Sequence, residues 1–396
     1  MKIALVQDYL KEFGGAEAVL ETLSDIFPEA DIYTTLYCPR FFGPHRERLE
    51  KKWGNRTCPS GRRVHQSFFQ YIPFAYKIIS PLRLLSPLAF KSFDFSKYDL
   101  IITSATGAYF PNALNKKSAK LICYCHTPPR YLYGLPTARS LKKYPILNFL
   151  AGVINHFLRL LDFKYAQNVD QFIANSVTTA TRIQKFYRRD AIVINPPIDL
   201  PKTIMKSDFF SVQRTRSAKR EPEGSEHCKT LDECFYLTGG RLARAKRYDI
   251  AIAACNQLKV PLKIFGRDFA SFTDELKNLA GPTIEFLGEV SQTEKAKLFS
   301  EAKAYLFCSD NEDFGMVSVE AQSYGCPVVG YKSGGIIETV IDGKTGILFD
   351  KLTPESCADA IRKLDKLKIN PKDCLKNAQN FSTEKFIAKI KKLVLN

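Results

Sequence analysis

The chain lacks the residue patterns that hold metals. None of its eleven cysteines forms a Cys-x-x-Cys pair, and its five histidines never stand with cysteines at ligand spacing. A zinc site is therefore not expected. No Asp-x-Asp tripeptide occurs, so no chelated divalent ion and no other cofactor is expected. Long apolar runs are missing too. The longest, about Ile146 to Leu161, is interrupted by Asn148, Asn155, His156 and Arg159. It falls short of the ~20 residues that span a bilayer. Met1-Lys2 runs straight into Ile3-Ala4-Leu5-Val6, which Gln7-Asp8 ends. That run is too short for the apolar core of a secretory signal. Cys38, Cys255, Cys308 and Cys326 lie in apolar surroundings. They read as small hydrophobes in a reducing cytoplasm. The expectation is a cytoplasmic protein without a transmembrane helix.

Acid is scarce as well. Fifty-eight Lys and Arg against 41 Asp and Glu leave a net charge of +17. Such a surplus points to an acidic partner: nucleic acid, anionic lipid or a phosphorylated substrate. The plain alternative is a generally basic protein. The deficit is sharpest from Lys51 to Lys91, with eight Lys or Arg and no Asp or Glu. Phe68, Phe69, Tyr71, Phe74, Tyr76 and Phe90 are interleaved there. That mixture suits nucleic acid or an anionic membrane surface, unless the aromatics are core and the bases a solvated rim. The rest is ordinary, with 45% hydrophobic and 25% charged residues. At 396 residues the chain exceeds what one core organises, so two domains are expected.

One stretch organises the chain, Ser309 to Asp350. Ala304-Tyr305-Leu306-Phe307-Cys308 before it reads as a buried parallel strand. Asp310-Asn311-Glu312-Asp313 forms an acidic turn, and Phe314-Gly315-Met316 opens a helix that carries Glu320. Cys326-Pro327-Val328-Val329 reads as the next strand and Ser333-Gly334-Gly335 as the turn after it. In an open parallel sheet such turns lie at the carboxyl ends of strands, where ligands bind. Free N–H groups at that helix start suit an anion.

Other stretches repeat the pattern of strand, then polar turn. Ile3–Val6 leads to Gly14-Gly15 before a helix; a glycine pair there permits close approach to backbone, or is merely a tight turn. Asp99–Thr103 and Lys120–Cys125 read as buried strands, the second ending at His126-Thr127-Pro128-Pro129. Leu141 to Tyr165 reads as a long helical region, core or the wall of a groove. Ser176 is a candidate N-cap for a helix to Tyr187. Cys234–Leu237 opens the second domain and delivers Gly239-Gly240-Arg241, with Lys246 five residues on. Arg and Lys so spaced suit a diphosphate, or are solvated charges at a helix start. Helices are expected over Pro354–Leu367 and Ser382–Leu395. The expected fold class is α/β, two doubly wound Rossmann-like domains facing across a cleft. The expected divisions are 1–200, a flexible polar insertion 201–232, a second domain 233–380 and a terminal helix 381–396.

Glu312-Asp313-Phe314-Gly315, Glu320 with seven residues between it and Glu312, and the following GCPVVG and Gly-Gly turn together resemble the retaining glycosyltransferases of family 4. That family has the GT-B fold. The resemblance extends to Gly14-Gly15-Ala16-Glu17 and to Gly240-Arg241-Leu242 with Lys246. It implies that Glu312 binds sugar hydroxyls, Glu320 the ribose, and the Gly315–Val317 backbone the sugar and phosphates. It assigns Arg241 and Lys246 to the leaving diphosphate, and Gly14 and Gly15 to the loop beside the donor diphosphate and acceptor. Phe314, Met316 and Val317 fall in the same donor-binding stretch. The string CHTPPRYLY resembles bacterial surface-polysaccharide mannosyltransferases, in which the residue matching His126 contacts the donor sugar. These strings lean to GDP-mannose as donor, with a UDP-sugar as the alternative. A saccharide or lipid-linked saccharide is the implied acceptor. Members with lipid-linked acceptors dock their first domain on the membrane, so the basic aromatic segment is assigned to an anionic inner membrane face and not to nucleic acid. The rival readings are a GT-B nucleotide-sugar epimerase, which would not carry this glutamate pair, and a non-enzymatic nucleic-acid binder.

Overall fold

The computed structural model describes residues 1–54, 64–137, 145–201, 235–269 and 272–395. Two α/β units emerge, Met1–Pro197 with Thr383–Asn396, and Ile198–Ser382.

The first unit is built on a seven-stranded parallel sheet. Its strands are β1 (Ile3–Gln7), β2 (Asp31–Thr34), β3 (Val64–Gln66), β4 (Leu100–Ala105), β5 (Lys120–Cys125), β6 (Gln171–Ala174) and β7 (Ala191–Val193). They lie in the order β3-β2-β1-β4-β5-β6-β7. Both faces are covered, which is why the strands read as continuous apolar runs. Alternation sends Ala4, Val6, Ile101, Cys123 and Phe172 to one core. Leu5, Ile102, Ile122, Tyr124 and Ile173 go to the other. The eight described cysteines are thiols outside any disulfide, seven of them buried. Strands β2 and β3 went unread in the sequence because they are short and β3 is only half-buried. Ser176 caps the helix Val177–Tyr187, accepting from Thr179 N at 3.0 Å.

The last helix, Thr383–Leu395, joins this unit, with Phe386 and Ile390 in the core beside Leu5. Phe386 meets the Tyr124 ring at 5.9 Å. The first unit ends at Pro197, and Ile198 already belongs with the second. Its N–H donates to the Phe381 carbonyl at 3.1 Å, and its side chain packs with Phe314 and Phe381. The expected insertion, 201–232, lies outside the described residues apart from Pro201.

The second unit holds a six-stranded parallel sheet of β8 (Tyr236–Gly239), β9 (Leu262–Phe265), β10 (Ile284–Gly288), β11 (Tyr305–Phe307), β12 (Val328–Tyr331) and β13 (Gly346–Phe349). The order is β10-β9-β8-β11-β12-β13. Two helices follow, Pro354–Lys366 and Pro371–Ala378. The second of these was not anticipated.

Of the two readings of Leu141 to Tyr165, core or groove wall, the first is corrected. Residues 141–144 lie outside the description, and the helix Pro145–Gln167 buries only one side. Leu158, Asp162 and Ala166 are buried, while Phe149, Phe157 and Leu160 are exposed. No described helix is long and apolar enough to cross a membrane. The segment 51–91 divides: Phe69 and Phe90 are core, whereas Phe68, Tyr71 and Phe74 are exposed. Arg56, Arg62 and Arg63 lie outside the described residues.

Candidate functional site

The residues singled out in the sequence fall into two groups, one in each unit, both at the carboxyl ends of strands. In the second unit β11 delivers Ser309 and the turn to Glu312. The Glu312 carboxylate accepts from Lys246 Nζ at 2.6 Å and from Ser309 Oγ at 2.6 Å. Lys246 ends the 3-10 turn Arg244–Lys246 that follows β8. Two separate sequence strings are thus joined in one ion pair.

The other cations of the Arg241–Arg247 string have their own partners. Arg244 is paired with Glu275, and Arg247 with Asp249 at 2.9 Å. Arg241 is exposed and lies over the Phe269 ring at 5.2 Å. Lys246 is the one that reaches across from its own turn to the Glu312 carboxylate at 2.6 Å, while Arg244 and Arg247 are held by acids close to them. The sequence reading missed Ser309 as the second anchor of Glu312, although it stands three residues before it.

Gly315 has φ +87°. A side chain would strain that left-handed turn, which a glycine accepts freely. It caps the helix Met316–Gln322, which is only seven residues long. Glu320 lies on its second turn, and its carboxylate accepts from Lys295 Nζ at 3.0 Å. Lys295 comes from the helix Gln292–Glu301 and was not anticipated. Phe314 does not offer its side chain to a ligand. It is buried, 5.5 Å from the Phe381 ring, in a small core with Ile198 and Val319. Met316 packs against that core and Val317 against its neighbour. These three can therefore serve a ligand chiefly through backbone.

Gly334 and Gly335 explain why two motifs travel together. Gly335 N–H donates to the Glu312 carbonyl at 2.8 Å. A Cβ on Gly335 would lie 2.4 Å from Phe314 Cα and 2.5 Å from the Asp313 carbonyl oxygen. The glycine turn is the bed on which the acidic loop rests.

In the first unit His126 follows β5. Its N–H donates to the Ala105 carbonyl at 2.9 Å, and its Nε2 lies 2.9 Å from Ser104 Oγ. The residue keeps some exposed surface, but the ring is enclosed, and burial pushes its pKa down to about 3. The imidazole is neutral at pH 7 and acts as a hydrogen-bonding group rather than a cation. Gly14 and Gly15 are exposed at the start of the helix Gly15–Ile26. Gly14 N–H donates to the Glu17 carboxylate at 2.9 Å. Gly14 has an extended backbone, so glycine there serves to keep the loop bare rather than to relieve strain.

Asp8, at the end of β1, is a further candidate that the sequence did not mark. It is fully buried and accepts from Thr106 N–H at 3.0 Å. Burial raises its carboxyl to about 6. Among the described residues no group of three or more His, Cys, Asp or Glu is arranged to hold a metal ion.

Two family models match the chain. Residues 13–202 match glycosyltransferase family 4, and residues 220–381 match glycosyl transferases group 1. The chain is 23% identical over 331 residues to the alpha-1,3/1,6-mannosyltransferase ALG2 of Dictyostelium discoideum, covering 76% of this chain and 75% of that one. It is 28% identical over 221 residues to a D-inositol 3-phosphate glycosyltransferase of a Nocardioides species. That match covers 49% of this chain, which spans about half the length of that relative, 46%. Among solved structures, HepE of Anabaena, determined with UDP and glucose, superposes with a TM-score of 0.67 at 20% identity over the whole of both chains. That likeness shows the shared fold. With two parallel-sheet units, the Lys246–Glu312 pairing and both halves matched, this chain is a GT-B glycosyltransferase of family 4.

Proposed function

We propose that this enzyme moves a hexose, mannose from GDP-mannose, to a saccharide or lipid-linked saccharide in cell-surface polysaccharide synthesis, retaining anomeric configuration. The observation that carries the reading is Lys246 Nζ at 2.6 Å from the Glu312 carboxylate. A cation for a diphosphate and an acceptor for sugar hydroxyls meet at the ends of the neighbouring strands β8 and β11. In this reading the bond from the anomeric carbon to the diphosphate oxygen breaks as the acceptor hydroxyl approaches the same face. The electron pair leaves with the diphosphate, where Lys246 and Arg241 stabilise it. Glu312 holds the sugar and Glu320 the ribose. The acceptor proton passes to a phosphate oxygen. Neutral His126 donates to or accepts from a sugar hydroxyl. No metal is required, since the two cations supply the positive charge.

What supports mannose is the CHTPPRYLY string at His126 and the matched relatives named mannosyltransferases, from Dictyostelium discoideum and from Schizosaccharomyces pombe. A UDP-sugar is the second reading, favoured by the UDP carried by HepE at similar fold. The test is thermal stabilisation by GDP, UDP and an oligonucleotide at equal concentration, followed by a transfer screen with nucleotide-sugars. A ligand at 100 times its Kd adds about 2.7 kcal/mol of stability. GDP should raise Tm most. A clear preference for UDP overturns the GDP-mannose donor and leaves the enzyme class. Stabilisation by the oligonucleotide alone overturns the whole reading.

A further inference from the structure

We propose that Lys295 is a positioning residue for the nucleotide. It holds the Glu320 carboxylate ready for the ribose hydroxyls, and so sets how strongly this enzyme prefers a ribonucleotide to its deoxy form. The inference rests on the reading of Glu320 as the ribose contact. It does not depend on the base, since ribose is common to GDP and UDP.

The contact is built from two rows of side chains. Lys295 and Phe299 stand four residues apart on the helix Gln292–Glu301, so they share one face. Glu320 and Tyr324, also four apart, stand on the helix Met316–Gln322 and just beyond its end. Lys295 Nζ donates to Glu320 Oε2 at 3.0 Å. One turn further along, the Phe299 ring stacks on that of Tyr324, with centroids 6.0 Å apart and 22° between the planes. Phe299 is fully buried and also meets Tyr305 of β11 at 5.7 Å. The ion pair therefore rides on a packed aromatic contact. The lysine's helix is pinned at its start as well. Ser291 N–H donates to the Glu294 carboxylate at 2.7 Å, and Glu294 N–H donates to Ser291 Oγ at 3.2 Å.

The pair is held but not sealed. The Lys295 side chain is 21% exposed and that of Glu320 is 27% exposed. Lys295 occupies Oε2, and Oε1 accepts from no described group. A carboxylate tied at one oxygen and open at the other can accept from a hydroxyl. A glutamate without such a tie samples several rotamers and has to be ordered when the ligand arrives. Ordering one such side chain costs about two- to tenfold in affinity. In this protein Lys295 has ordered it beforehand, and the two stacked rings keep the lysine at the right distance.

The test is calorimetry on the full chain with GDP and with dideoxy-GDP, which lacks both ribose hydroxyls. The same pair of UDP compounds is used if UDP binds wild type more tightly. The readout is the ratio of the two Kd values. An effect of a substitution on the base, on the diphosphate or on the fold reaches both ligands and cancels in that ratio. Wild type should favour the ribonucleotide at least about tenfold. Glu320→Ala should bring the ratio close to one. Lys295→Met should lower it roughly two- to tenfold, and Lys295→Arg should keep most of it. Lys295→Met/Glu320→Ala should match Glu320→Ala. Phe299 carries the packing, so Lys295→Met should fold; if it melts early, Lys295→Gln takes its place in the same measurement. A ratio that Glu320→Ala leaves unchanged overturns the ribose reading and the proposal with it. A ratio that Glu320→Ala flattens while Lys295→Met leaves it at the wild-type value overturns the proposal alone. So does a further drop when Lys295→Met is added to Glu320→Ala, because Lys295 would then meet the ribose itself.

Discussion

Replacing Glu312 and Glu320 one at a time should move nucleotide affinity in opposite directions. Glu312 accepts from Lys246 Nζ and Ser309 Oγ, both at 2.6 Å. A hydrogen bond to a charged group contributes about 1.5–3 kcal/mol. The Lys246 side chain is 30% exposed and that of Glu312 is 18% exposed, so screening reduces this pair to roughly 1 kcal/mol. In Glu312→Ala, Lys246 no longer has to be drawn away from a carboxylate to meet a diphosphate. GDP should therefore bind up to about fivefold tighter. Turnover should fall at least about a hundredfold, because the reacting sugar loses its positioning contact. Glu320→Ala should do the reverse to the nucleotide. Its carboxylate is held by Lys295 at 3.0 Å; removing it deletes the group proposed to hold the ribose and leaves Lys295 without that carboxylate. GDP binding should weaken by about 1–3 kcal/mol. Calorimetry with GDP on the two variants and wild type reads both effects, and steady-state turnover with GDP-mannose reads the third. Loss of GDP binding in Glu312→Ala with retention in Glu320→Ala, both folded, refutes the assigned roles. No change in either quantity refutes the site.

Two further outcomes follow from packing and burial. Asp162 is buried against Tyr133, whose hydroxyl donates to it at 2.9 Å, and burial raises its carboxyl to about 7. Its folded pKa exceeds the unfolded value, so its contribution is fully present below about pH 4 and is lost as pH rises towards 7. Asp162→Asn removes the titration, so its stability relative to wild type should rise between about pH 4 and 7 and then level off. A denaturant-unfolding difference that stays flat across that range contradicts the buried neutral acid. Gly335→Ala would push a Cβ to 2.4 Å from Phe314 Cα; overpacking of that kind costs about 1–3 kcal/mol. Melting of the second unit should drop and turnover should fall with it as the Glu312 loop shifts, whereas an unchanged melting curve would show that the loop does not rest on this turn.

Much of the fold was legible because it depends on periodicity. Strands buried on both faces read as apolar runs, which is how β4, β5 and β11 were found. Ser176 was recognisable as a cap because capping is a local exchange between a side chain and a nearby N–H. The pairing of Phe314-Gly315 with the glycine turn was visible as a resemblance, though its cause was not. Whether a phenylalanine beside a site faces a ligand or a core is not a local property. Phe314 went inward because Ile198 and Phe381, distant in sequence, build a pocket for it together with Val319.

The long helix makes the same point in reverse. Its apolar residues identified a helix but not its environment, since only neighbours brought by the fold decide which side is covered. Lys295 and Ser104 were invisible as partners of Glu320 and His126 because they lie 25 and 22 residues away. The sequence by itself determined two parallel α/β units, the strand ends from which ligands are met, and the residue types there. Hydrophobic period and turn chemistry act within a few residues. Only the tertiary structure decided that Lys246 and Glu312, 66 residues apart, form one ion pair, that the glycine turn carries the acidic loop, and that half of a helix remains uncovered. Those outcomes depend on strand order and crossover packing, which bring distant residues within ångströms of one another.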